Sequence, residues 1–446
     1  MMAKERLDFG ALTRRVRKSP FVRGWAILTS ATLLQSVIGL ASAPILARLF
    51  SPDDFGIAGL VQSIGAVPLI MASGQYYLAI GIARSGAEAA NLTMLSYILS
   101  VVTSLAFLVP LLYVEHHQEI LPESLAAVAD YGWAIAAFMV VGSWLMISRF
   151  WEIRHRRYGF AVRSRLIETL GITASQVGFG LIGAGPLGLV IGRWLGTAIA
   201  AGHGLRTFLL DVTREGAKRL RWRRIRVASR RHWRFPFYQM PANVIGEAGR
   251  QIVPILLAVY FPLAQVGYYW FAQRLLQRPS LVYGGNLGRV FYQHAADRRR
   301  DGKPVTRLYL QSTAILFGTS ILPFGVIMLF GPPIFAFVFG AEWEESGRIA
   351  MWLALANFVH LIGFPARNAV VLFDLQRIFA ISEVLRAVAS CLLVLWIGGG
   401  GGTMLQTVAA TGILQAAITL IFIGFVGWRL RGNDRALRLA QAGATP

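Results

Sequence analysis

A dozen long apolar runs, each parted from the next by a short polar break, restrict this chain more than any motif does. They fall at residues 22–47, 55–83, 92–114, 126–147, 166–182, 187–210, 237–260, 266–290, 308–330, 349–373, 378–397 and 404–428. About 20 residues at ~1.5 Å rise cover the ~30 Å hydrocarbon core of a bilayer. A chain of 446 residues, 55% hydrophobic and 15% charged, cannot bury so many such runs in one soluble core, ordinary soluble domains being about 25% charged. The expected class is an all-α integral membrane protein of about 12 transmembrane helices. The fifth run is the most polar, diluted by Glu168, Thr173, Ser175 and Gln176.

Loop charge gives an independent reading of that count, because cytoplasmic loops collect Lys and Arg. With the first connection outside, the inside set carries Arg149, Arg154, Arg156, Arg157, Arg163 and Arg165, then Arg298, Arg299, Arg300 and Lys303, and finally Arg429, Arg431, Arg435 and Arg438. The outside set carries Asp53 and Asp54, then Glu115, Glu119 and Glu123, then Glu342, Glu344 and Glu345. A wrong count would scramble this alternation. The net charge of +22 therefore reads as inside-positive loops rather than as a nucleic-acid surface, and no nucleic acid is expected as partner. The basic N-terminus reads as a retained cytoplasmic tail, since the apolar run behind it is too long for a signal-peptide core.

Two halves are expected. Pro44, Ile45, Leu46, Pro52, Gly56 and Gln62 align, with one inserted residue, on Pro254, Ile255, Leu256, Pro262, Gly267 and Gln273. Runs one and two thus correspond to runs seven and eight, six spans later, so the repeats are parallel. The division is a basic tail 1–21, a six-helix lobe 22–210, a basic linker 211–235, a second six-helix lobe 236–428 and a cytoplasmic tail 429–446. The linker's alternation of arginine with aromatics reads as a helix lying on the anionic inner leaflet.

The chain lacks a phosphate-loop, HExxH or GxSxG motif, and no cofactor or metal is expected. The single Cys391 excludes a disulfide framework, and the glycines at 398–402 read as a flexible hairpin. Asp53 and Asp54 could hold a metal in a membrane glycosyltransferase, but SPDDFG reads better as a helix start, with Ser51 as N-cap and Pro52 in the first turn. Charges within the apolar runs say more, because each costs several kcal/mol unless it faces a cavity or a partner. Glu247 and Arg250 stand three residues apart on one helical face, able to pair. Arg274 and Arg278 stand four apart, with Gln273 and Gln277 beside them, and Arg367 adjoins Asn368 after a kink at Pro365. Arg48, Arg193 and Arg278 also fit arginines that reach the headgroups or staple helices. The candidate cavity set is Arg250, Arg274, Arg278, Gln273, Arg367 and Asn368, with Glu247 as the coupling carboxylate. Arg250 and Arg274, on runs joined by a tight turn, are expected to converge on one wall.

The order of LARLFSPDDFGIAGL (46–60), QIVPILLAVYFPLAQVGYYWFAQRLLQRP (251–279), VFGAEWEESGRIAMWLA (338–354) and PARNAVVLFDLQR (365–377) resembles that of polysaccharide-exporter (Wzx-type) flippases of the multidrug/oligosaccharidyl-lipid/polysaccharide exporter superfamily. The resemblance spans nearly the whole chain. It implies two six-helix lobes in a V, a bacterial inner-membrane location, and a lipid-pyrophosphate-linked oligosaccharide as cargo held near cationic cavity residues. Membrane lipids, a polysaccharide polymerase and chain-length machinery are the implied partners. A cation-coupled drug exporter of the same superfamily is the alternative within transporters. From other classes the alternatives are a membrane glycosyltransferase or polymerase, disfavoured by short outer loops, and a cell-envelope scaffold.

Overall fold

The computed structural model describes residues 20–214, 220–279 and 285–442, and among these there is no strand. The helices run α1 (Pro20–Ala41), α2 (Ala43–Leu49), α3 (Pro52–Met71), α4 (Gly86–His116), α5 (Glu123–Ala129), α6 (Gly132–Arg154), α7 (Tyr158–Leu181), α8 (Gly185–Arg214) and α9 (Trp222–Arg231). They continue as α10 (Met240–Tyr260), α11 (Leu263–Pro279), α12 (Gly285–Arg300), α13 (Thr306–Phe339), α14 (Glu344–Ile362), α15 (Phe364–Leu372), α16 (Gln376–Gly399) and α17 (Met404–Ala442).

Local chemistry sets several boundaries. Ser51 begins α3 through a capping box: its hydroxyl accepts from the Asp54 amide at 3.2 Å, and the Asp54 carboxylate accepts from the Ser51 amide at 2.8 Å. Pro52 fills the first position, where no amide is needed. Asp53 and Asp54 thus serve a helix start, as the sequence suggests. The expected tail beyond 429 continues the last helix, and Asp434 accepts from the Val305 and Thr306 amides at 3.0 and 2.9 Å, capping α13. In the basic connection, α9 turns Ile225 and Ala228 onto the first half and leaves its arginines exposed. The tail through residue 19 and residues 215–219 of the linker lie outside the described residues.

Among the described residues nine helical stretches are long and apolar enough to cross a membrane. Three expected spans are absent from that set: α7, α8 and the eighth run. The eighth is present as α11 and α12, with 280–284 between them outside the description. All three are helical; α7 and α8 are too polar, carrying Arg163, Arg165 and Glu168, then Arg193, whereas α11, with Arg274 and Arg278, is described over only 17 residues. This departure from the hydropathy reading has a physical cause. Helices α7, α8 and α11 line the cavity described below, and a wall facing a polar space carries polar side chains.

Lipid tails are as apolar as leucine, so burying leucines does little to hold membrane helices together; close approach does more. Helices α7 and α8 close on each other through Gly188, Gly192 and Gly196, one turn apart. A methyl at Gly196 would stand 2.2 Å from the Ile172 amide nitrogen, and one at Gly192 would stand 2.7 Å from Gln176 Cγ. The two halves meet in the same way. A methyl at Gly56 of α3 would lie 2.4 Å from the Leu263 carbonyl, and one at Gly267 of α11 only 1.8 Å from the Pro52 carbonyl. Gly56 and Gly267 are the positions matched in the sequence repeat, and here they meet, a methyl on Gly267 falling 2.9 Å from the Gly56 nitrogen. Trp343 seals the same end of the crossing. It is fully buried, donates its indole N–H to the Ala47 carbonyl at 3.0 Å, and packs 4.2 Å from Phe271 and 5.2 Å from Phe55.

Candidate functional site

The glycine crossings determine where the polar groups point. Because α8 lies so close to α7, Arg193 and Trp194 on α8 and Gln176 on α7 open onto one cavity, with Phe138 of α6. The α3–α11 crossing lays Trp270 and Arg274 of α11 over the same space, opposite Gln62 of α3. The cavity measures about 30 Å³. One water needs roughly 10–15 Å³, so the space has room for a water or two and none for a sugar.

Two cations face that space. Arg193 stacks over Phe138 at 5.7 Å and Arg274 over Trp270 at 5.5 Å. Neither guanidinium has a hydrogen bond or ion pair among the described residues. A cation–π contact contributes about 0.5–2 kcal/mol, whereas an unpaired charge away from water costs several. The aromatic rings therefore orient the arginines without neutralising them. Glu168 of α7 is the carboxylate within Coulombic reach of Arg193, and it is already engaged by Arg149 at 2.5 Å. Three further polar atoms on this wall are buried with no partner among the described residues: Arg193 Nε, Trp194 Nε1 and Gln176 Oε1. The arrangement suits an anion bearing several acceptor oxygens.

Of the cavity residues expected from sequence, Arg274 alone lines this space. Arg278 instead lies against α1, its Cζ 3.1 Å from where a methyl on Gly39 would stand. Gln273 accepts from Asn357 at 3.2 Å. Arg367 donates to His360 Nδ1 at 2.9 Å and to the His360 carbonyl at 2.5 Å, and Asn368 donates to the Phe364 carbonyl at 2.8 Å. Arg250 does not converge on Arg274: it pairs with Glu247 on its own helix, which also accepts from Gln251 at 2.7 Å. The two helices part after their turn, α10 packing on α3 and α16 while α11 packs on α3 and α14. Arg193, placed by sequence among the headgroup arginines, takes the position opposite Arg274. The signals that point to it are the Gly188–Gly192–Gly196 spacing and the polarity of the fifth run, which Gln176 and Glu168 create. No group of three or more His, Cys, Asp or Glu among the described residues is placed to hold a metal.

The described helices form a membrane-type bundle with a cationic cavity where its two halves meet. The chain belongs to the polysaccharide biosynthesis protein family, whose pattern it matches over residues 45–348. Its fold is shared with the lipid II flippase MurJ in an inward closed conformation, at 14% identity over 94% of this chain and 93% of that one, with a TM-score of 0.67. It is also shared with a multidrug resistance MATE family transporter of the MOP superfamily in an inward-facing conformation, at 13% identity over 91% and 99%, with a TM-score of 0.65. A MOP superfamily transporter from Pyrococcus furiosus, described by the reverse polarity of its binding pocket, matches at 15% identity over 93% and 94% with a TM-score of 0.54. No curated protein sequence matches the chain significantly.

Proposed function

We propose that this protein is a flippase that carries undecaprenyl-pyrophosphate-linked oligosaccharide across the bacterial inner membrane, for exopolysaccharide, capsule or O-antigen assembly. The observation that carries the reading is the pair of unneutralised guanidinium groups, Arg193 and Arg274, facing one cavity from opposite halves. Planar guanidinium forks donate paired hydrogen bonds to phosphate oxygens and stay ionised, so a diphosphate supplies the charge this wall lacks. The polyprenyl tail would remain in lipid between the halves. Because Arg193 belongs to the first half and Arg274 to the second, cargo bound between them would draw the halves together. Separation at the Gly56–Gly267 end would then expose the cargo on the other side, which is alternating access about the repeat axis.

A cation-coupled drug exporter needs acidic groups for its organic cation, and no carboxylate stands among the cavity's described lining residues. Glu247 remains the proposed coupling carboxylate, placed with Arg250 on α10. A polymerase and chain-length machinery are the proposed partners, receiving the cargo on the far side.

The test is polysaccharide export in cells carrying Arg193→Ala or Arg274→Ala. Export should fall at least tenfold at unchanged membrane levels of protein. Arg→Lys at either position should restore only part of it, because the charge returns without the fork. Full export in both alanine variants would end the proposal.

A further inference from the structure

The diphosphate reading leaves one buried group without a use. Gln176 is 3% exposed and its side chain is held on both flanks: Gly192 packs against its Cγ, and its amide Nε2 donates to the Leu189 carbonyl at 2.9 Å. That bond decides which way the amide faces, since only the –NH2 end can donate to a carbonyl. The other end, Oε1, is therefore an acceptor, and it is buried on the cavity wall without a partner among the described residues. Arg193 and Trp194 contribute only donors from the same wall. A phosphate offers acceptor oxygens and no hydrogen to give at neutral pH, so it satisfies Arg193, Arg274 and Trp194 and leaves Gln176 Oε1 orphaned. A buried acceptor left unpaired costs about 1–3 kcal/mol. The ligand that completes this wall bears a hydrogen-bond donor a few bonds from its phosphates.

We propose that Gln176 is a specificity-determining residue that reads the sugar attached directly to the diphosphate, accepting a hydrogen bond from the donor on C2 of that sugar. The inference rests on the flippase reading and deepens it. In a glycosyl diphosphate, C2 adjoins the anomeric carbon that bears the phosphate, and it carries either a hydroxyl or an acylamino N–H. Both are donors held a few bonds from the phosphate that Arg193, on the same cavity wall, would bind. Trp194, on the same wall with a buried indole N–H that has no partner among the described residues, would give a hydrogen bond to the linking oxygens. A lipid diphosphate without a sugar has no group to offer Gln176. The subsite therefore separates loaded carrier from the bare carrier that returns after the cargo is removed, and a flippase that could not make that distinction would spend its cycles on the empty lipid.

Binding of short soluble analogues to the purified full-length protein in nanodiscs tests this. The probes are farnesyl diphosphate joined to N-acetylglucosamine, to glucose or to 2-deoxyglucose, with the uncharged farnesyl glucoside as reference. The 2-deoxy probe should bind roughly tenfold to a hundredfold more weakly than the better of the other two, as expected when a buried polar group loses its partner. The tighter of the N-acetylglucosamine and glucose probes identifies the donor as amide or hydroxyl. Gln176→Leu should abolish the difference between 2-deoxy and parent sugar. Equal binding of all three diphosphates by the native protein, with the neutral glucoside much weaker, overturns the sugar subsite and leaves the flippase reading standing. A neutral glucoside that binds as well as the diphosphates defeats the flippase reading itself. Should Gln176→Leu fail to fold, the native protein's probe series still decides.

Discussion

A charged side chain inside a membrane protein is informative when its partner can be named, and here the partners sort the arginines into two kinds. Arg149, Arg250, Arg367 and Arg386 are met by Glu168, Glu247, His360 and Glu383, whereas Arg193 and Arg274 stack on aromatic rings and have no hydrogen bond or ion pair among the described residues. Sequence spacing identifies the Glu247–Arg250 pair, because three residues along a helix make neighbours. It cannot pair Arg193 with Arg274, which lie 81 positions apart and meet through tertiary packing alone. The Glu247–Arg250 pair carries its own expectation. Arg250 is 63% exposed in its pair with Glu247, so part of its guanidinium stays open to an arriving phosphate. We propose that Glu247, released in this way, couples export to the proton gradient. Glu247→Gln should accordingly leave export running but flatten its dependence on pH in inverted vesicles. An unaltered pH profile in that variant would mean the pair is a static staple.

At the scale of the helix, polarity and glycine decide what can be read ahead of the structure. Hydropathy locates all twelve runs, and each is helical over most of its described length. Yet α7 and α8, which give the cavity Gln176, Arg193 and Trp194, fall short of the apolar signal that α3 and α6, two of its other walls, carry. The feature that weakens the hydropathy signal is the one that marks function. Glycine at every fourth position of α8 is legible too, since small residues at that spacing let helix backbones approach, but which helix they approach is not written in the spacing. Substitution tells the positions apart. Gly196→Val would drive a side chain into the Ile172 backbone, 2.2 Å from the nearest atom, and no rotamer relieves a clash with backbone. Overpacking of this kind costs about 1–3 kcal/mol, so the thermal unfolding midpoint in detergent should drop by several degrees and Gln176 should lose its alignment. Gly202→Ala, on the same helix with nothing within 4 Å, should leave the midpoint unmoved. Equal effects from the two substitutions would show that the α7–α8 contact does not hold the bundle.

The whole molecule raises the question of orientation. From the alternation of basic and acidic loops we propose that both termini face the cytoplasm, with the Trp343 seal on the outer side. Single cysteines at Glu119, Arg224, Glu344 and Arg435, in a chain whose only native cysteine, Cys391, is replaced by serine, should report this directly. Membrane-impermeant reagent added to intact cells with a permeabilised outer membrane should label the first and third, and should reach the other two only in inverted vesicles. Any residue on the wrong face breaks the topology. The meeting of Gly56 with Gly267 has a consequence of a different order. Both positions tolerate no side chain because each faces the other half's backbone near Pro52 or Leu263. A free first half, without the second, could satisfy the same contact by closing on a copy of itself about the same axis, glycine 56 then standing on both sides of the seam. In such a pair one substitution would strike twice. In the fused chain each seam position varies alone, so the two sides are free to diverge, and the cavity can carry an arginine from one half opposite an arginine from the other without either being the other's repeat equivalent.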